Sequence, residues 1–179
     1  CALPICDRCI DVYQYGDVKR ISPEAPVPIF KITKTERKPG MGANVSENLR
    51  TLGCQVYEYY GEHSTKTRII DTKSKQHLIR IDDDVVSKPI TFGMIKENYF
   101  DAIVISDYCK GSITYDLVHN LKYHHPDTPI FVDTKKVFLN KFNGCFLKIN
   151  ELEFDAAKTN TVDVIVTLGD KRSEEHTSE

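Results

Sequence analysis

Four short apolar segments, each bounded by polar residues, constrain the fold of this chain more than any other feature of its sequence. They are Asp101–Ser106 (DAIVIS), Pro129–Asp133 (PIFVD), Cys145–Ile149 (CFLKI) and Asp163–Leu168 (DVIVTL). Helical patterns lie between them over Thr114–Tyr123 and Glu151–Lys158. Apolar strands that alternate with helices form parallel sheets with helices on both faces. The sequence therefore predicts an α/β fold.

The first half of the chain predicts further strands and helices. The three prolines of ISPEAPVP, Ile21–Pro28, fix the backbone and predict a rigid extended connector that leads into an edge strand. The other predicted elements are a strand over Val27–Thr33, a helix over Asn44–Leu52 closed by Gly53, a strand over Cys54–Tyr60, a hairpin of Thr67–Ile70 and His77–Ile81, and a helix over Thr91–Asn98.

Both ends of the chain match a common sequencing-library adapter when they are translated back into DNA. The codons of Cys1–Ile5 are the reverse complement of the start of those that encode Arg172–Glu179. We therefore expect both segments to be non-native, against the alternative of an acidic natural tail, and the natural part, Cys6–Lys171, to be cut at both ends. That part has 23 basic and 23 acidic residues. A neutral chain has no electrostatic footprint for nucleic acid or an anionic membrane, and we expect neither partner.

Cysteine content and hydropathy bear on the compartment. The natural part has five cysteines, Cys6, Cys9, Cys54, Cys109 and Cys145. Their odd number and their spacing fit no zinc site, which favours reduced thiols and a cytoplasmic location. No apolar run approaches the ~20 residues of a membrane span. A missing natural N-terminus would leave room for a signal peptide.

Polar residues follow every predicted strand of the second half. The groups are DYCKG, TKK, NELE and GDK, and a fifth group, PGMGANVSENL, has two glycines just before a helix. In α/β sheets, ligands bind outside the carboxyl ends of the strands. A glycine turn before a helix can bind an anion or can simply cap the helix, so each group alone leaves both alternatives open. Together the five groups predict a binding site at one edge of the sheet.

These groups resemble the motifs of the ribokinase-like (PfkB) carbohydrate kinases. The matching segments are RISPEAPVPI, GMGANVSENLRTLG, STKTRII, ISDYCKG, FVDTKK and KINELEF, together with Asp7, Asp11, Tyr13 and Gly16. Within that family the chain is most similar to the heptose 7-phosphate kinase domains of bifunctional heptose kinase/adenylyltransferases. RISPEAPVP is specific to that group, whereas the other motifs mark only the wider family. Cys6 stands where the family has glycine.

The resemblance implies a three-layer α/β/α fold with a small β-lid. The lid segments, about residues 15–35 and 64–82, would form a small sheet apart from the main one, close over the sugar and supply homodimer contacts. Closure would exclude water, so that the phosphoryl group passes to the sugar. The rigid proline connector suits a lid that must close in one register.

The resemblance also implies the substrate contacts. Asp11 would accept hydrogen bonds from sugar hydroxyls, Arg68 would grip a phosphate, and Asp107 would orient the loop that carries Lys110. The alternatives are that Asp11 is a turn residue and that Lys66 and Arg68 are charges of an exposed hairpin. Asp11, Asn44 and Lys110 should all face one cleft. The implied substrate-binding residues are Asp11, Gly40, Gly42, Asn44, Lys66, Arg68 and Lys110.

A second group of residues would organise ATP and Mg²⁺. Asn150 and Glu153 resemble the NxxE pair of the family, and Glu153 would hold Mg²⁺ through water. The alternative is that Asn150 caps a helix with Glu153 at the third position, a capping box. Thr167, Leu168 and Gly169 would begin the nucleotide-binding turn.

The activity implied is that of an ATP-dependent sugar-phosphate kinase. Its reaction would phosphorylate the anomeric hydroxyl of D-glycero-β-D-manno-heptose 7-phosphate, a step towards ADP-heptose and lipopolysaccharide core. The alternatives are a kinase for another sugar and a non-catalytic sugar-phosphate-binding protein. Two departures bear on this choice. The segment between Gly53 and Thr65 is shorter than in the family, and the family's GAGD motif, with its general-base aspartate, has no match in the chain.

We predict that the chain as given has no meaningful kinase activity and contains no catalytic residue. Asp170 falls in the nucleotide turn, so no matched residue can take the proton of the sugar hydroxyl, and losing a general base typically costs ~10²–10⁴ in rate. The measurement is ADP release with heptose 7-phosphate and other sugars, compared with a version extended at the C-terminus. Sugar-dependent turnover at a similar rate in both proteins would contradict the prediction.

Overall fold

The computed structural model describes residues 1–95, 99–157 and 162–176. Its strands are β1 (Ala2–Ile21), β2 (Pro28–Met41), β3 (Tyr59–Asp71), β4 (His77–Asp83), β5 (Ala102–Asp107), β6 (Ile130–Thr134), β7 (Phe146–Asn150), β8 (Val164–Thr167) and β9 (Ser173–His176). Its helices are α1 (Gly42–Thr51), α2 (Tyr115–His124) and α3 (Glu151–Ala156), with short 3₁₀ turns at Phe92–Met94, Leu139–Phe142 and Gly169–Lys171.

All nine strands belong to one sheet, in the order β4-β3-β1-β5-β6-β7-β8-β9, with β2 paired to β1. The central strands β1, β5, β6, β7 and β8 run parallel. The predicted α/β class with a mostly parallel sheet is therefore confirmed. Alternate side chains of these strands form a core with α2, which includes Leu3, Ile5, Ile103, Ile105, Val132, Leu147, Ile149, Val164, Leu117 and Leu121.

The other face of β6–β8 carries exposed apolar side chains. Phe131 and Phe146 are 43% and 58% exposed, and their rings stack with centroids 5.0 Å apart. Ile165 of β8 is exposed on the neighbouring strand. Within the described residues, these strands pack through one face only.

The strand β1 divides one of its edges between two partners. Residues Ala2–Cys6 pair in parallel with β5, and Arg8–Ile21 pair in antiparallel with β2. The other edge pairs with β3 for most of its length. The prediction of a lid sheet apart from the main sheet is therefore wrong, because β1 belongs to both. The lid boundaries and the lid's closure stay predictions.

Most predicted elements are confirmed and two are corrected. The hairpin is the β3–β4 pair, and the first predicted helix is α1, after which Gly53 takes a φ of +83°. The predicted strand Cys54–Tyr60 begins only at Tyr59 and continues through Asp71. The predicted helix Thr91–Asn98 is wrong where it is described, because only Phe92–Met94 turn and Ile95 is extended. Residues 96–98 lie outside the described residues. The strands β1 and β9 were not predicted.

The residues expected to be adapter-derived take part in the sheet. Leu3 and Ile5 are fully buried in β1, and Ser173–His176 pair with β8. Their non-native origin stays a prediction. No helix among the described residues has the length and apolarity to cross a bilayer.

We predict that Leu3→Ala lowers the free energy of unfolding by about 2–5 kcal/mol, because it leaves a cavity beside β5. Leu52→Ala is the control, since Leu52 is 79% exposed and its truncation should change stability by less than about 0.5 kcal/mol. Urea unfolding followed by circular dichroism measures both. Equal stability of Leu3→Ala and the parent chain would show that Ala2–Cys6 is not built into the sheet.

Candidate functional site

The register of β1, β2 and β3 places charged side chains around Asp11. Asp11 lies directly opposite Lys38 of β2 and Lys66 of β3, and Tyr13 lies opposite Arg68. Directly paired residues project from the same face of a sheet. Three cations therefore share one face with the Asp11 carboxylate.

The tightest contact on this face is the ion pair between Arg68 and Asp11. A guanidinium nitrogen of Arg68 donates to Asp11 Oδ1, and this hydrogen bond raises the pKa of Arg68. The Arg68 guanidinium also lies 5.3 Å from the ring centroid of Tyr13, and Lys38 Nζ lies 5.5 Å from it. The alternative that Asp11 is a turn residue is excluded, since it lies within β1.

Gly40 lies against the same carboxylate. A Cβ atom at this position would stand 2.2 Å from Asp11 Oδ2 and 2.7 Å from Cys9 Sγ. Any larger residue would have to displace Asp11, so glycine is required for this close approach. Asp11, Gly40, Lys66 and Arg68, four of the residues implied by the resemblance, are thus brought together.

Lys110 forms an ion pair with Asp84, which follows β4 directly and so lies beside the strand that carries Lys66 and Arg68. Its ammonium is 2.6 Å from the Asp84 carboxylate, and the hydrogen bond from Lys110 is the main cause of the lowered pKa of Asp84. The charge of Lys66 contributes to the same lowering. Burial raises the pKa of Cys9, and Lys66 opposes that rise. The charge of Lys66 thus acts on Asp84, the partner of Lys110, and on Cys9, two residues before Asp11 in β1.

Asn44 and Gly42 lie elsewhere. Asn44 and Arg8 line a separate cavity of about 300 Å³ beside Tyr60, and a Cβ atom at Gly42 would meet Cys6. Arg8 and Cys9 are consecutive strand residues, so their side chains point to opposite faces. The prediction that Asp11, Asn44 and Lys110 face one cleft is therefore wrong for Asn44. This contradicts the sugar site implied by the resemblance, in which Asn44 and Gly42 would line the same pocket as Asp11. The half-site around Asp11, formed by Asp11, Gly40, Lys66 and Arg68, does not include them.

Asn150 and Glu153 form the capping box that was the alternative to a metal role. Asn150 Oδ1 accepts from the Glu153 amide at 2.8 Å, and Glu153 Oε2 accepts from the Asn150 amide at 2.9 Å. This box begins α3. The two side chains also line a cavity of about 210 Å³ together with Ser106, Asp107, Tyr108, Asp133, Lys135 and Lys148. Capping and ligand binding are thus compatible here.

The second cavity suits a magnesium ion held through water better than one held directly. Among residues 1–95, 99–157 and 162–176, no group of three or more histidine, cysteine or acidic side chains is placed to hold a metal. Asp133 is paired with Lys148 at 3.1 Å, and Asp107 is paired with Lys136. The amide and carboxylate oxygens of Asn150 and Glu153 have the right chemistry for Mg²⁺.

The turn that follows β8 adjoins this cavity. Thr167 lies directly opposite Asn150 in the β7–β8 pair, and its hydroxyl donates to the Ile149 carbonyl at 3.2 Å. Gly169, with a φ of +62°, begins the 3₁₀ turn that follows Leu168 and contains Asp170. The sequence predicted Thr167, Leu168 and Gly169 at the end of the last parallel strand, and they lie at the end of β8.

Sequence reasoning gave no role to several residues near these sites. Lys38 was overlooked because it precedes the PGMG motif, although its two-residue spacing from Gly40 puts it on the Asp11 face. Asp7 was matched to a motif without a function. Asp107 was expected to orient the DYCKG loop, residues 107–111, and it does so by accepting from the Cys109 amide at 2.9 Å.

Comparison with solved structures defines the class of fold. The chain matches Arabidopsis thaliana ribokinase complexed with ribose and ATP at a TM-score of 0.64 and 12% identity, over 98% of this chain and 74% of that one. It matches Methanocaldococcus jannaschii nucleoside kinase at 0.59 and 14%, over 98% and 73%, and Escherichia coli phosphofructokinase-2 at 0.58 and 12%, over 99% and 75%. The chain has the ribokinase-like fold, and the resemblance drawn from its motifs is confirmed.

Within that class, the curated relatives of the chain include bifunctional HldE proteins. It is 29% identical to that of Aliivibrio fischeri (strain ATCC 700601 / ES114) over 209 residues, covering 97% of this chain and 44% of the relative. It is 27% identical to that of Coxiella burnetii (strain RSA 331 / Henzerling II) over 184 residues, covering 84% and 39%. The chain thus spans less than half the length of these relatives. No family model matches it.

We predict that stability falls with pH above about 9 through Cys6. Burial raises the pKa of this thiol from 9.0 to about 12, so the unfolded chain ionises first and the native state loses stability as pH rises from 9 towards 12. The contribution is on the order of 1 kcal/mol per pH unit. Urea unfolding of the parent chain and of Cys6→Ala between pH 8 and 11 measures it. A Cys6→Ala variant with the same pH slope as the parent would refute the assignment to Cys6.

Proposed function

We propose that this chain is the sugar-binding part of an ATP-dependent sugar-phosphate kinase. The observation that carries the proposal is the ion pair of Arg68 with Asp11, beside which Lys66 lies on the same face of the sheet. Similarity to sugar kinases, in sequence over nearly the whole chain and in fold, supports it. A carboxylate suits the hydroxyls of a sugar, and a guanidinium beside it suits a phosphate carried by the same substrate.

The substrate that we propose is D-glycero-β-D-manno-heptose 7-phosphate, phosphorylated on its anomeric hydroxyl to the 1,7-bisphosphate. The RISPEAPVP motif and the similarity to HldE proteins support it. The product would serve the synthesis of ADP-heptose for lipopolysaccharide. The short segment between Gly53 and Thr65 favours a second candidate, a kinase for another sugar phosphate, because it alters the chain just before β3.

Each residue of the half-site has a chemical role in this proposal. Asp11 accepts hydrogen bonds from sugar hydroxyls through the oxygen that faces Gly40. Arg68 binds the substrate phosphate with its planar guanidinium, already oriented by Asp11. Lys66 and Lys110 add positive charge around the bound anion. The lid strands exclude water from this group when they close.

ATP and Mg²⁺ would bind at the neighbouring strand exits. Asn150 and Glu153 would hold the ion through water, and Thr167 and Gly169 would contact the nucleotide. When bound, Mg²⁺ neutralises charge on the phosphates during transfer. Lys135 and Lys148, which line the same cavity, would attract the phosphate groups.

We further propose that the lid strands supply a homodimer contact. Ile79 and Ile81 of β4 are each more than half exposed, and Ile21 and Ile32 add exposed apolar area on β1 and β2. Apolar side chains gathered on one exposed element are typical of an interaction surface.

We predict that Asp11→Ala and Arg68→Met each weaken binding of heptose 7-phosphate by about tenfold or more, because each removes one partner of a charged hydrogen bond. Both variants should bind ATP as the parent does. Calorimetric titration with each ligand, carried out on an extended protein, measures the two affinities.

The control is Arg37→Met, which removes an exposed arginine of β2 that pairs with Val12, on the face opposite Asp11, and should leave both affinities unchanged. Equal loss of both ligands in Asp11→Ala would indicate misfolding. Undiminished sugar-phosphate binding in both site variants would contradict the half-site itself.

A further inference from the structure

Asp7 is a buried carboxylate with three hydrogen-bond donors. It has no exposed surface, and it lies in β1 four residues before Asp11. Its Oδ2 accepts from the amides of Tyr108 at 2.7 Å and Lys110 at 3.1 Å, and its Oδ1 accepts from the Ser112 hydroxyl. A buried carboxylate is tolerated only when its oxygens are satisfied in this way.

The DYCKG loop is bent so that its amides reach two carboxylates. Cys109 takes a φ of +58°, unusual for a residue other than glycine, and Gly111 takes +101°. Three successive amides are used as a result, those of Tyr108 and Lys110 by Asp7 and that of Cys109 by Asp107. Such successive amides make a concave anion-binding surface, which Asp7 fills.

The same loop holds the segment that follows β4. The Ser87 amide donates to the Lys110 carbonyl at 2.7 Å, and the Lys110 ammonium pairs with Asp84. Asp7 thus connects three parts of the chain: its own strand, the exit of β5 and the end of the β3–β4 hairpin. These parts carry Asp11, Lys110 and Lys66 respectively.

We propose that Asp7 is a positioning residue, which fixes Lys110 relative to Asp11 so that both act on one bound sugar phosphate. This inference rests on the proposed function. The strand β1 is the common frame, because it holds Asp7 and Asp11 on the same face, and Asp7 sets the backbone from which Lys110 extends.

The first test measures the loop without any ligand. In Asp7→Asn the remaining side-chain oxygen can accept from the loop amides only as a neutral group. The two hydrogen bonds lose their charge assistance, so the Tyr108 and Lys110 amides should exchange with deuterium about tenfold faster or more. The amide of Leu117 in α2 should be unchanged. Asp116→Asn, an exposed carboxylate at the start of α2, is the matched control and should alter neither loop amide. Unchanged exchange of both loop amides in Asp7→Asn would overturn the proposal.

The second test separates positioning from a general loss of structure. Binding of heptose 7-phosphate is measured for the parent, Asp7→Asn, Lys110→Met and the double variant. If Asp7 acts through Lys110, each single change weakens binding by about tenfold and the double variant is no weaker than Lys110→Met. Multiplied losses in the double variant would refute positioning through Lys110. If the parent binds no sugar phosphate, the proposed function fails, and the exchange result alone decides whether Asp7 holds the loop.

Discussion

The hydrogen bonding along one edge of β1 determines how the rest of the molecule is arranged. Along that edge Ala2–Cys6 pair with β5 and Arg8–Ile21 pair with β2, so a single strand begins in the parallel core and ends in an antiparallel pair. The change of partner falls at Asp7, where the pairing with β3 also shifts by a residue. Backbone groups need new hydrogen-bond partners where a strand changes its neighbour. The loop after β5 lies close to this point, and two of its amides donate to the Asp7 carboxylate. Binding groups gather at this junction because three strands end or diverge there.

The sequence predicted the parallel strands well and the junction poorly, for a physical reason. The strands β5 to β8 are short apolar runs whose burial follows from local composition alone. The strand β1 was not predicted, because its first residues were set aside as non-native and its later residues mix charges with aromatic side chains. Two aspartates are stable within this strand only because distant residues bind their carboxylates. Asp11 is bound by Arg68, 57 residues away, and Asp7 by Ser112, 105 residues away. The helix expected at Thr91–Asn98 is reduced, over its described part, to the turn Phe92–Met94, although Phe92 and Ile95 pack against the core.

The candidate sites were also predicted only in part from the sequence. The spacing of Lys66 and Arg68 was enough to put both on one face of a strand, and the motif was enough to relate them to Asp11. Asn44 shows where motifs are insufficient, because a helix start beside a strand can direct its side chains to either face. The NxxE pair shows that a local hydrogen-bond pattern and a ligand role do not exclude one another. The capping box fixes the rotamers of Asn150 and Glu153, which is also what a water-held ion would require.

The single packed face of β6–β8 has a consequence for how the chain opens. With Phe131 and Phe146 exposed, these strands are held by backbone hydrogen bonds and by one apolar layer, whereas the Asp7 junction is enclosed. Regions with fewer buried apolar contacts open at lower free energy than the rest of a protein. The exits that carry Asn150 and Thr167 therefore belong to the more labile part of the sheet. A partner that covered that face would stiffen the exits of β7 and β8 and leave the Asp7 junction as it is. The two parts of the sheet are therefore stabilised by different interactions.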